Sequence, residues 1–183
     1  PAVMPTTEVP VVIAASAPAP RKRAAPIVAN WPSDPALWYQ AALGELKQGR
    51  HDAAVEGLAA LITKHPSHEF ADNAQYWIGE AFYDRRQFEP ALVAFQTTIA
   101  RYPKGNKSAD ATLKAGLCMA SLGDAARAAE YLRRVISLYP TSDSAAIARE
   151  RLHKLSLTTS SAQASSKLAP PVASPSATSV RTP

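Results

Sequence analysis

The stretch Asn73–Pro103, NAQYWIGEAFYDRRQFEPALVAFQTTIARYP, reads as two helices joined by a tight turn. Its skeleton is Gly79, Phe82, Ala91 and Phe95, closed by Tyr102-Pro103. The flanking segments copy it. Pro66, Pro103 and Pro140 follow one another at intervals of 37 residues. A fixed period between 20 and 50 residues marks a repeat array.

The copies agree slot by slot. One small-residue slot holds Ala42, Gly79 and Gly116, and a second holds Ala54, Ala91 and Ala128. Small residues let two helices approach closely. A larger apolar slot holds Leu58, Phe95 and Leu132, and a β-branched slot holds Ile62, Ile99 and Ile136. Each unit closes on His65-Pro66, Tyr102-Pro103 or Tyr139-Pro140. Proline disfavours helix at the residue before it, so each second helix is expected to stop there. Gly49 and Gly123-Asp124 mark the turns within the first and third units, because glycine accepts a left-handed cap. The middle unit has Arg86-Gln87 instead, so its turn is less legible. Pro90 is tolerable only in the first turn of a helix, which starts the second helix of that unit near Phe88. A helix-turn-helix unit of this length belongs to the tetratricopeptide class.

A fourth, partial copy follows Pro140. Ala148 lies 37 residues after Ala111, and Ala148, Leu152 and Leu155 have helical spacing. It has no second helix and reads as the cap that a solenoid needs on its last apolar face. The expected fold is therefore all-α: a tetratricopeptide-repeat solenoid of three helix-turn-helix repeats plus a C-terminal capping helix, flanked by disordered tails. Residues 1–30 are Pro/Ala/Val-rich without an apolar period, and residues 157–183 form a Ser/Ala/Pro-rich tail. Both are expected to be disordered, because such compositions bury too little surface to offset ordering entropy. The repeat domain is then 31–156. Ser33-Asp34-Pro35 reads as its first helix start, a cap residue followed by proline.

The net charge of +5 comes mostly from outside that domain. Residues 31–155 hold 15 Lys and Arg against 14 Asp and Glu. The excess sits on Arg21, Lys22, Arg23, Lys167 and Arg181, offset by Glu8. No stripe of alternating basic and aromatic residues supports nucleic-acid binding. Cys118 is the one cysteine, so no internal disulfide or cysteine metal site can form, and its setting beside Gly116 and Met119 suits a buried apolar role. No window approaches the ~18 apolar residues of a membrane span. Val11–Ala19 superficially resembles the end of a secretion signal but lacks a basic leader, so any signal is expected upstream of this numbering.

Nothing in the chain reads as catalytic, and no cofactor or metal is expected. His65 and His68 flank a helix break and have no third ligand beside them. There is no phosphate-binding glycine loop and no nucleophile elbow. What remains is a binding surface. In stacked helix pairs the first helix of each pair lines the concave side. The core face of the middle first helix is Ala74, Ile78, Ala81 and Phe82, at helical spacing. Its other face carries Asn73, Tyr76, Glu80 and Tyr83. The equivalent slots hold Ala36, Tyr39, Leu43 and Leu46 in the first unit and Asp110, Leu113, Leu117 and Ala120 in the third. The reading is a continuous apolar strip across three helices, with Tyr39, Leu43, Leu46, Asn73, Tyr76, Glu80, Tyr83, Leu113 and Leu117 as the partner-binding groove. Contiguous apolar surface rimmed by polar groups marks a partner site, and the ligand expected along it is a peptide or helix. Trp38 and Trp77 read equally well as wedges between helices or as the groove rim.

The run from Asn73 to Leu152, above all NAQYWIGEAFY, the 37-residue period and the end at Ala148–Leu152, resembles a known family. It is similar to the C-terminal tetratricopeptide domain of the Tol-Pal cell-division coordinators, the YbgF/CpoB family, over about Leu37 to Leu155. The resemblance implies a Gram-negative periplasmic protein. It implies binding to the periplasmic part of TolA, and a link between outer-membrane constriction and septal peptidoglycan synthesis by a bifunctional penicillin-binding protein. The family usually carries a trimerising N-terminal coiled coil. Residues 1–30 have no heptads, so either the numbering starts after the coiled coil or this protein lacks it; an oligomer stays open as a reading, with no coiled coil seen in the sequence. Second place goes to a structural subunit of another envelope complex, in secretion, motility or outer-membrane assembly. The outer-membrane assembly lipoproteins have similar repeats but need an N-terminal lipidated cysteine, a role Cys118 cannot fill. A regulatory subunit of an enzyme whose catalysis resides elsewhere is the remaining alternative.

Overall fold

The computed structural model describes residues 31–167, in which seven helices follow one another. They are α1 (Pro35–Lys47), α2 (His51–Lys64), α3 (Ala71–Asp84), α4 (Phe88–Arg101), α5 (Ser108–Ser121), α6 (Ala125–Leu138) and α7 (Asp143–Lys167). Each packs on the next in order, while α1 also touches α3 and α5 touches α7. This is the contact pattern of a helical-pair solenoid, in which each repeat touches its neighbours.

The helix ends lie where local chemistry places them. Asp34 caps α1 by accepting from the backbone N–H groups of Ala36 and Leu37, with Pro35 in the first turn. Pro90 sits in the first turn of α4, which begins at Phe88. His65, Tyr102 and Tyr139 terminate α2, α4 and α6 with φ between −132° and −128°, each just before its proline. The turns inside the three repeats are the same Schellman-type turn. Gly49, Arg86 and Gly123 donate three residues back, to Leu46, Tyr83 and Ala120. Arg50, Gln87 and Asp124 donate five residues back, to Glu45, Phe82 and Met119. Arg86 takes a φ of 58° where the other two units use glycine at 74° and 85°.

Core packing follows the slots. Leu58, Phe95 and Leu132 are sealed, as are Ala42, Ala54, Ala91 and Ala128. The small slot faces the large one. A Cβ on Gly79 would lie 2.5 Å from the Phe95 ring, and one on Gly116 would lie 3.1 Å from the Tyr131 Cβ. Ala74, Ile78 and Ala81 are buried, and Phe82 packs between the first two core clusters. Trp38 is a core residue, stacked on Trp31 with ring centroids 6.1 Å apart, and Trp77 wedges between the first two clusters. Cys118 is fully buried, and burial pushes its thiol up to about 12. The buried serine and threonine hydroxyls are spent on backbone oxygens or a carboxylate: Thr98 on Ala94, Thr112 on Ser108, Ser108 on Tyr102 and Ser144 on Asp110.

One boundary moves. The sequence places the end of the fold at Ser156, yet α7 continues to Lys167. Residues 158–167 contain neither proline nor glycine, and Pro170 is the first breaker. An already nucleated helix extends through such a run at little cost per residue. The expectations for residues 1–30 and 168–183 lie outside the described residues.

Candidate functional site

The first helices α1, α3 and α5 present the predicted groove residues, but not as one apolar strip. Tyr39 is half-buried and stacks on Phe70 with centroids 4.8 Å apart. Burial raises its phenol above the ordinary tyrosine value. Leu43 and Leu46 are half-buried beside it along α1. Asn73 turns back on its neighbour, donating both its backbone N–H and its Nδ2 to Asp72 Oδ1 at 2.6 and 2.9 Å.

Tyr76 and Leu113 correct the expectation. Tyr76 is only 7% exposed and Leu113 only 4%. Tyr76 lies tilted against Phe95 at 5.5 Å and meets the edge of Trp77 at 5.7 Å, so it is part of the second core cluster. Leu113 joins Leu132 and Val135 in the third cluster, and Leu117 packs on the same cluster. The two slots are equivalent, at 76 and 113, and both are covered where a first helix meets the following repeat.

The centre of the face is ionic. Glu80 on α3 accepts from the Lys114 ammonium on α5 at 2.7 Å, and both side chains are mostly shielded, 14% and 23% exposed. Burial raises the Glu80 carboxyl above the ordinary glutamate value, and Lys114 opposes that shift. The same ammonium stands 4.8 Å from the Tyr83 ring centroid, and Lys107 stands 5.3 Å from that of Tyr76. Cations over aromatic faces are attracted by the ring quadrupole. Lys107 also pairs with Asp110, and Asp110 in turn accepts from Ser144 on α7. Burial, with the charges of Glu80 and Asp110 added, pushes the Tyr76 phenol well above the ordinary tyrosine range.

Lys107 and Lys114 are the functional candidates that single-helix reasoning missed. A signal was present. Glu80 and Lys114 are 34 residues apart, as are Asp110 and Ser144. That offset is one repeat less about one helical turn, the step between adjacent first helices. Among the described residues no group of three metal-ligating side chains gathers on this face or elsewhere.

Comparison with known proteins agrees with this architecture. The model of the YfiO family, described as outer membrane lipoprotein, matches residues 33–157. The cell division coordinator CpoB of Pseudomonas putida is 41% identical over 58 residues, which are 30% of this chain and 22% of that protein. The match thus spans about a fifth of the curated relative's length. Solved structures share the fold at low identity. The first tetratricopeptide domain of Spaghetti (RPAP3), bound to the HSP90 peptide SRMEEVD, matches with a TM-score of 0.56 and 17% identity, over 69% of this chain and 93% of that one. MamA from Desulfovibrio magneticus matches with a TM-score of 0.56 and 19% identity, over 73% and 71%. The Arabidopsis OM64 domain matches with a TM-score of 0.55 and 20% identity, over 66% and 94%. With the YfiO model running over residues 33–157, and so over every repeat, the chain belongs to the YfiO outer membrane lipoprotein family.

Proposed function

We propose that this domain is a non-enzymatic protein-binding scaffold of the bacterial cell envelope, working in the periplasm as the Tol-Pal division coordinators do. In this reading it holds the periplasmic part of a TolA-like protein and couples outer-membrane constriction to the peptidoglycan synthase at the septum. The observation that carries the reading is the first-helix face. Half-buried Tyr39, Leu43 and Leu46 on α1, Tyr83 on α3 and Leu117 on α5 lie on the same first helices as the shielded Glu80–Lys114 pair, and the Lys114 ammonium stands over the Tyr83 ring. Large, partly wetted side chains around a fixed polar pair suit an extended or helical segment, whose apolar side chains seat beside groups that set its register. The Spaghetti domain, solved with a peptide bound, supports the capacity of this fold to hold one. Tyr76 and Leu113 shape the face from beneath instead of touching the partner.

The test is calorimetric titration of the full chain with the periplasmic fragment of TolA, beside a Tyr83→Ala/Lys114→Ala variant of unchanged helicity. Saturable binding that weakens at least tenfold in the variant is expected, since two central contacts removed together cost about 1–2 kcal/mol or more. Binding unchanged in the variant moves the site off this face. The family model favours a second reading, a structural subunit of an outer-membrane assembly complex. Copurification of such a complex, with no heat on adding TolA, selects it.

A further inference from the structure

The ionisable groups of the repeat domain are segregated along its length. Residues 31–100 carry nine Asp and Glu against five Lys and Arg, whereas residues 101–156 carry five against ten. A near-neutral domain thus has a positive pole at its C-terminal end. Arg133 and Arg134 on α6 and Arg151 on α7 are exposed, and none of the three joins a salt bridge within the described residues. Arg149 donates to the Pro140 carbonyl at 2.9 Å, which holds its guanidinium beside the α6–α7 turn. The scaffold does not require these arginines. The slots of Arg133 and Arg134 hold Gln96 and Thr97 on α4 and Ala59 and Ala60 on α2.

The same end exposes aliphatic side chains. Leu138, the last residue of α6, is 56% exposed, and Ile147, in the second turn of α7, is 43% exposed. One repeat earlier their slots hold Arg101 and Asp110. The acids nearby are few. Glu130 and Asp143 are exposed, and Glu150 is paired with Lys154 at 2.5 Å.

We propose that the α6–α7 end is a docking surface for a layer of anionic lipid headgroups. Guanidinium groups pair with phosphate oxygens through charge-assisted hydrogen bonds. Scattered aliphatic side chains among them seat at the boundary between headgroups and acyl chains. A protein interface has the reverse anatomy, an apolar core inside a polar rim. The acidic α1–α3 end is repelled by the same surface. The domain therefore stands on α6 and α7, and its first-helix face remains open to the side. This surface is separate from the face proposed to hold a protein partner.

The test is cosedimentation of the full chain with phosphatidylglycerol–phosphatidylethanolamine vesicles and with phosphatidylcholine vesicles. Arg21, Lys22 and Arg23 are also cationic, so all variants are built on a background in which these three are alanine. The background is expected to bind the anionic vesicles and to ignore phosphatidylcholine. Arg133→Glu/Arg134→Glu/Arg151→Glu is expected to lose binding about tenfold or more, and raised salt to act in the same direction. Leu138→Ser/Ile147→Ser, at exposed positions that leave the core intact, is expected to lose about threefold or more. Background binding that the charge reversal leaves unchanged overturns the proposal. So does a background that ignores anionic vesicles, whether or not it binds an acidic protein. Tyr83→Ala/Lys114→Ala leaves vesicle binding unaltered, so failure here and failure of the TolA titration are told apart.

Discussion

At the scale of single residues the repeat keeps its shape by steric rules that individual substitutions can read. Gly49, Arg86 and Gly123 occupy one slot and one left-handed conformation, which costs a residue with a Cβ about 1–2 kcal/mol. Arg86→Gly is therefore expected to stabilise the domain by about 0.5–1 kcal/mol, less than the full strain because glycine also frees the unfolded chain. Gly123→Ala is expected to destabilise it by a similar amount, and urea unfolding of both variants reads the opposite signs. Glycines inside helices divide in the same way. A Cβ on Gly44 meets nothing within 4 Å, so Gly44→Ala is expected to gain up to about 1 kcal/mol of helix propensity. A Cβ on Gly79 collides with the sealed Phe95 ring, so overpacking of about 1–3 kcal/mol outweighs that gain and Gly79→Ala is expected to lower the melting temperature. Equal shifts in the two alanine variants would remove this packing account.

At the scale of helices the decisive contacts run between repeats. The helix pattern alone turns Tyr76 toward a ligand, whereas in the fold it seals α3 against Phe95 and α5, because the next repeat covers that slot. Leu113 is covered the same way by the third cluster, which includes α7. The Glu80–Lys114 pair bridges α3 and α5 in a shielded setting, where Lys114 holds the carboxyl below the value burial alone would impose. Removing the cation is expected to push Glu80 up further. A carbon-13 titration of Glu80 in a Lys114→Met variant checks this, and a midpoint that falls or stays put would sink it. A carboxyl raised in the folded state favours folding at low pH, and that contribution is lost as pH rises from the unfolded value through the folded one. Glu45, Asp124 and Glu150 are shifted the other way by Arg50, Arg127 and Lys154; Glu45 and Asp124 are half-buried and Glu150 is exposed, but all three cations are exposed, so water and salt screen these pairs.

At the scale of the whole molecule the stack stops for a reason written in its period. The slot that holds Ala42, Gly79 and Gly116 becomes His153 on α7, and the slots of Thr112 and Met119 become Arg149 and Ser156. Each of the three is exposed, so the face that would receive another second helix has turned polar. The opposite side of α7 stays apolar, with Ala145 and Ala148 fully buried against Leu113, Leu132 and Val135. Ending the chain at Pro140 is expected to uncover that cluster and cost about 3 kcal/mol or more, given roughly 1.5–3 kcal/mol for each large apolar side chain returned to water. Hydrogen exchange should show α5 and α6 losing protection well before α1 and α2, as expected when neighbours stabilise one another in one dimension. Uniform loss along the stack would argue for one indivisible unit.

The period, the start of α1, the ends of α2, α4 and α6, the Pro90 start, the core slots and the burial of Cys118 were legible in the chain itself. Each is set by chemistry within one turn or by a side chain recurring every 37 residues. Three things needed the tertiary structure. Slots 76 and 113 are sealed by neighbouring repeats, Lys107 and Lys114 come to lie over tyrosine rings, and α7 runs on to Lys167. The physical reason is reach. A pattern inside one helix tells which side chains share a face, but the step to the next first helix, 34 residues on, decides which of them water can still touch.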